Sequence, residues 1–126
     1  MSEVVKGCGI DIIEIERIAR ALKKPGFINK IYTSDEQKML HTRHNQSWAV
    51  RFAAKEAVMK AIGCGWQKGV RFKDIEINQD QWGKPVVLLS GRVKEIADAR
   101  KITQLHISLA HDRISAIAYA IAVGRN

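Results

Sequence analysis

The sequence predicts an α+β fold, a single compact domain of antiparallel strands packed against a long helix, and three observations carry that reading. An alanine-rich segment from Ser47 to Ile62 has strong helix-forming composition, and Gly63 stands where a left-handed residue ends it. Short apolar or alternating runs, bounded by turn residues, read as strands at both ends of the chain and between the helices. The order mixes hairpins with helices instead of alternating strand and helix, which argues against a doubly wound parallel sheet. The 126 residues contain only two prolines, Pro25 and Pro85, and no repeat or linker, so residues 1–126 read as one unit.

Val4 to Ile13 reads as a buried strand in which Gly7 and Gly9 let another backbone come close. From Ile13 to Lys23, Ile15, Ile18, Ala19 and Leu22 recur at helical spacing and leave Arg17, Arg20 and Lys24 outward until Pro25-Gly26 ends the helix. Thr33 and Glu36 have capping-box spacing and open a short helix to Arg43. After the long helix, Val70 to Ile77 alternates like a half-buried strand. Asp80 to Lys84 then turns the chain into a strand from Pro85 to Leu89. Ser90 is placed to cap a helix from Gly91 to Lys101. Strands Leu105–Ala110 and Ile114–Val123 follow, joined by a tight turn at Asp112-Arg113.

The net charge of +8 and an isoelectric point near 9.8 call for an anionic partner. Nucleic acid, an acidic protein and a phosphorylated small molecule all satisfy that. The absence of a Lys/Arg run and an aromatic content of 6% disfavour nucleic acid. Cys8 and Cys64 lie in no metal-binding pattern and read as reduced thiols of a cytoplasmic protein. The segment Met1 to Lys6 fits neither a signal peptide nor a membrane span.

Asp11 stands among Ile10, Ile12 and Ile13, where a carboxylate needs a partner: a helix terminus, a basic neighbour or a metal. On the long helix, Phe52, Glu56 and Lys60 are one turn apart on one face, alongside Arg51 and Lys55. Glu56 and Lys60 could be a surface ion pair. Yet Asp11, Glu56 and Lys60 together form the set that Mg²⁺-phosphate chemistry uses, carboxylates for the metal and an ammonium for remaining phosphate charge. Strand alternation sends Ser108 to one face and His111 to the other. No nucleophile elbow, HExxH or P-loop motif is present, which argues against serine-hydrolase, zincin and P-loop chemistry.

Four ordered motifs resemble the holo-acyl-carrier-protein synthases among the phosphopantetheinyl transferases. Gly9-Ile10-Asp11 leads to Arg17. Arg51-Phe52-Ala53-Ala54-Lys55-Glu56-Ala57-Val58-Met59-Lys60-Ala61 is followed by Gly63 and Gly65. Gly83-Lys84-Pro85 and His106-Ile107-Ser108-Leu109-Ala110-His111 complete the set. The resemblance implies that Asp11 and Glu56 hold Mg²⁺ and that Lys60 contacts phosphate, with Glu56 and Lys60 as the catalytic pair. It places Arg51, Lys60, Gly83, Lys84, Pro85, Ser108 and His111 around coenzyme A. The partner it implies is an acidic apo acyl carrier protein in fatty acid biosynthesis, and the helical spacing of Arg17, Arg20 and Lys24 makes one basic stripe on which that carrier is expected to dock. It further implies a phosphopantetheinyl-transferase-like fold and a homotrimer with sites shared between subunits. Ala110 replaces a hydroxyl residue common before the last histidine, and Cys64 a frequent threonine.

Overall fold

The computed structural model describes residues 2–126; Met1, the first residue of the amino-terminal segment read above, lies outside them. Helices α1 (Ile15–Ala21), α2 (Phe27–Ile31), α3 (Ser34–Leu40), α4 (Asn45–Ile62) and α5 (Gly91–Ala99) accompany strands β1 (Val4–Glu14), β2 (Ile75–Gln79), β3 (Pro85–Leu89), β4 (Ile102–His111) and β5 (Ser115–Gly124). Three strands form an antiparallel sheet in the order β1-β5-β4, and β2 and β3 form a separate hairpin. The α+β expectation is met.

Helix α4 lies across the three-stranded sheet, and the sequence makes room for it. A methyl group on Gly9 would run into the Ala57 carbonyl oxygen and the Lys60 Cβ, and one on Gly7 into the Ala61 carbonyl oxygen. Strand β5 turns Ala116, Ala118, Ala120 and Ala122 toward the same helix, all fully buried. Small residues on both surfaces let the backbones approach more closely than branched side chains allow.

The opposite face of the sheet differs from expectation. β1 is not buried on both sides: Ile10 and Ile12 are 59% and 64% exposed. Cross-strand pairing sets them beside Tyr119 and Ile117 of β5, which also face outward. The result is a continuous apolar outer face.

Other differences have local causes. Val70–Ile77 does not form a strand throughout, because Asp74 folds its carboxylate back onto the Arg71 N–H (3.2 Å) and holds a 3₁₀ turn at Phe72–Asp74. Ser90 makes no side-chain cap; the same Asp74 accepts from Val93 N (3.4 Å) at the start of α5. Helix α1 ends at Ala21, so Lys24 sits in the following turn and only Arg17 and Arg20 form the helical stripe. The short helix α2 has no counterpart in the expectations above. The Thr33–Glu36 capping box forms as read, and Gly63 ends α4 at φ 78°. Both cysteines are free thiols.

Candidate active site

Asp11 follows Gly9 by two residues on β1 and therefore points to the same, α4-facing side. There Lys60 Nζ reaches Asp11 Oδ1 at 3.2 Å and the Ile10 carbonyl at 2.9 Å. The helix-terminus reading of Asp11 is corrected, since Glu14 occupies the N-cap of α1. The Glu56–Lys60 surface pair is corrected as well: the ammonium turns to the strand. Glu56, one turn before Lys60, is half-buried; burial first and then the charge of Asp11 push its carboxyl above the usual range, with Lys60 and Arg17 opposing. The charge of Asp11 on one element thus disfavours ionisation of Glu56 on another, a conflict that the Lys60 ammonium offsets in part. Among the described residues no group of three or more His, Cys, Asp or Glu could hold a metal. Two carboxylates are fewer than such a group, and the ammonium of Lys60 lies against one of them.

A second constellation gathers on the far side of α4. Arg43, Ser47, Arg51, Gln79, Gly83, Pro85 and Ser108 line an open cleft of about 360 Å³, floored by Val50, Ile107 and Leu109. Arg51 is 4% exposed, and its Nε is the one buried side-chain polar atom among the described residues without a hydrogen-bond partner. Its other nitrogens find only the Ser47 carbonyl (3.3 Å) and the Met39 sulfur (3.7 Å). Burial weakens its hold on its proton. That donor is enclosed, so the cleft is made cationic by the charge of Arg51 beneath it and of Arg43 beside it.

The structure therefore divides the expected site residues. Asp11, Glu56 and Lys60 assemble beside β1, whereas Arg51, Gly83 and Pro85 assemble beside β4, the opposite edge of the sheet, where Ser108 borders the cleft but shares the outer face with its cross-strand partner Tyr119. Two interstrand spacings, about 9.6 Å, separate those strands. Lys84 is exposed on the β2–β3 turn. His111 pairs with Ala116 and Ser108 with Tyr119, on opposite faces as alternation predicts. The His111 ring is exposed, with Nδ1 3.3 Å from the Asp112 carbonyl.

The sequence matches the family model of the 4'-phosphopantetheinyl transferase superfamily over residues 7–121. The chain belongs to that superfamily. A holo-[acyl-carrier-protein] synthase of Alkaliphilus oremlandii is 45% identical over 123 residues, 95% of this chain and all of that one. One from Vibrio cholerae is 40% identical over 122 residues, covering 94% and 97%. The solved holo-ACP synthase of Plasmodium yoelii superposes with a TM-score of 0.87 at 32% identity over the whole of both chains. The Helicobacter pylori protein in complex with coenzyme A gives 0.81 at 34%, covering 91% and 98%.

Within the Lys55-Glu56 dipeptide the two residues part company. A step of one residue turns a helix by about 100°, so Glu56 looks toward β1 while Lys55 is fully buried against β2. Lys55 Nζ bonds Glu36 Oε1 (2.7 Å), the Ile75 carbonyl (2.6 Å) and the Phe72 carbonyl (3.2 Å). Glu36 in turn accepts from Thr33 N (2.8 Å) and Ile77 N (2.7 Å). Sequence reading gave Lys55 and Glu76 no role, although a lysine on the apolar side of an otherwise buried helix was a signal. Glu76 accepts from the Thr33 hydroxyl at 2.6 Å. Replacing Lys55 by Met should cost about 3–5 kcal/mol in urea unfolding, because it leaves a buried carboxylate without its counter-ion. The Lys55→Met/Glu36→Gln double variant should recover part of that loss. A single-variant cost under about 1 kcal/mol would show that the pair does not organise the fold.

Proposed function

We propose that residues 1–126 act as one phosphopantetheinyl transferase domain that moves 4'-phosphopantetheine from coenzyme A to a serine of apo acyl carrier protein. The reaction uses Mg²⁺, releases adenosine 3',5'-bisphosphate and serves fatty acid biosynthesis in the cytoplasm. The observation that carries the reading is the meeting of Asp11, Glu56 and Lys60 on α4 and β1 in a chain whose relatives bear the synthase name. Among the described residues no helix is long and apolar enough to cross a membrane.

Asp11 and Glu56 would hold the metal, which when bound neutralises pyrophosphate charge and polarises the phosphorus under attack. Lys60 offsets charge on the transferred phosphoryl group, as its ammonium already does for Asp11. Arg51, Gly83, Lys84, Pro85 and Ser108 receive the nucleotide end of coenzyme A, and His111 hydrogen-bonds it. The carrier serine attacks the phosphorus bearing pantetheine, and its proton passes to Glu56 or to a water that Glu56 orients. With coenzyme A, Mg²⁺ and apo carrier protein, the purified chain should add one phosphopantetheine mass to the carrier. Asp11→Asn and Glu56→Gln should each lower that rate at least about 100-fold without loss of folding, and chelating the metal should do the same. Full activity in Glu56→Gln would overturn the metal assignment.

Arg17 and Arg20 are exposed on α1, with Ile15 and Ile18 buried beneath them. Arg20 is tied only loosely, 3.8 Å from Glu16. Together with Lys24 they suit an acidic carrier protein approaching the carboxylate pair. Reversing Arg17 and Arg20 to Glu should raise the KM for the carrier about tenfold or more and leave coenzyme A affinity unchanged. Equal losses on both substrates would move the docking surface elsewhere.

Two observations favour a homotrimer with shared sites: the apolar outer face of the sheet, and the separation of the carboxylates from the Arg51 cleft at opposite edges. A neighbouring copy can bring its cleft to this chain's carboxylates and bury that face in the same contact. Co-expressing Glu56→Gln with Arg51→Met tests this. Random mixing should restore about one quarter of the sites, since one good half comes from each variant. No recovery would place the whole site within one chain.

A further inference from the structure

Trp82 is 83% exposed, the most exposed of the large apolar side chains among the described residues. It stands at the tip of the β2–β3 hairpin, next to Gly83 and three residues before Pro85, both of which line the Arg51 cleft. A free-swinging loop would make that position uninformative, but this turn is held. Asp80 Oδ1 accepts from Trp82 N (2.8 Å) and Lys84 N (2.9 Å), Asp80 N donates to the Lys84 carbonyl (2.9 Å), and Gly83 N donates to the Asp80 carbonyl (3.0 Å). Gly83 takes φ 81°, a conformation costly for any residue with a Cβ. An indole displayed in water on a rigid mount at the rim of a polar, cationic cleft loses solvation gain unless something flat covers it.

The cleft chemistry says what that is. Arg51 and Arg43 offer charge to phosphate, Ser47 and Gln79 offer hydrogen bonds, and no aromatic side chain is among the residues that line the cleft. We propose that Trp82 is the base platform of this cleft: its indole stacks on the adenine ring of coenzyme A and makes the enzyme discriminate among nucleotides by base. The proposal rests on the reading of the cleft as the coenzyme A site and adds to it a residue that sets specificity. Stacking needs only a π-face, so Trp82 favours a large purine over a smaller pyrimidine without reading its edge.

The test is calorimetric titration of the wild type, Trp82→Phe and Trp82→Ala with adenosine 3',5'-bisphosphate, uridine 3',5'-bisphosphate and inorganic pyrophosphate, with sedimentation run alongside. The wild type should bind the adenosine compound more tightly than the uridine one. Trp82→Ala should weaken the adenosine compound about tenfold and erase the preference, and Trp82→Phe should recover part of both. Pyrophosphate, which lacks a base, should bind all three alike. Unchanged adenosine affinity in Trp82→Ala overturns the platform while leaving the cleft as the nucleotide site. Equal loss of pyrophosphate, or a changed assembly state, overturns it in favour of a structural or subunit-contact role. Failure of the wild type to bind the adenosine compound at all removes the cleft reading itself, and the platform with it.

Discussion

Helix α4 can reach the sheet only because side chains have been removed from the contact. Gly7 and Gly9 on β1 and the four alanines of β5 leave the helix backbone against the strand backbone, with the Ala57 and Ala61 carbonyls filling the space that Cβ atoms would need. Everything in the candidate site inherits this approach. Lys60 can bond the Ile10 carbonyl and Asp11 at the same time because its own Cβ lies against Gly9. Glu56 feels the charge of Asp11 for the same reason, and burial between helix and strand raises its carboxyl.

A second constraint fixes the helix on its other side. The Lys55–Glu36 pair is as dry as any part of the core, and a buried ion pair contributes little net stability compared with apolar residues of similar size. Its effect here is directional. One ammonium and one carboxylate join α4, the start of α3, the 3₁₀ turn and β2 through bonds that only one arrangement satisfies. Tyr32 completes the junction: its hydroxyl donates to the Trp48 carbonyl at 2.8 Å, and burial, then Glu36, drives its pKa upward. The hairpin that carries Gly83 and Pro85 is thereby set in place relative to Arg51.

What the sequence disclosed follows from how local the cause was. The Thr33–Glu36 box, the end of α4 at Gly63 and the small residues on β1 rest on backbone geometry within a few positions, and each could be read directly. The 3₁₀ turn at Phe72 was hidden because alternation between Val70 and Ile77 mimics a strand, and the side chain that breaks it, Asp74, also serves α5 nineteen residues later. The exposed isoleucines of β1 misled for another reason: their pattern signals burial, and within a single chain nothing covers them. Residue types singled out the carboxylates, the ammonium and the arginine, but their division between two sheet edges depends on the strand order β1-β5-β4, which no local pattern encodes.

The spacing on β1 carries a consequence of its own. Gly7, Gly9, Asp11 and Ile13 are all odd-numbered, and in a strand parity is orientation: alternate residues share a face. Past the irregularity between Val5 and Gly7, the pairing with β5 runs unbroken to Glu14. A single insertion or deletion between Gly9 and Asp11 would keep every residue type and still turn the carboxylate to the outer face while the glycines stayed beneath the helix. Along this strand, chain length is therefore a stricter requirement than composition, and changes in pairs of residues are the only ones that preserve the carboxylate's side.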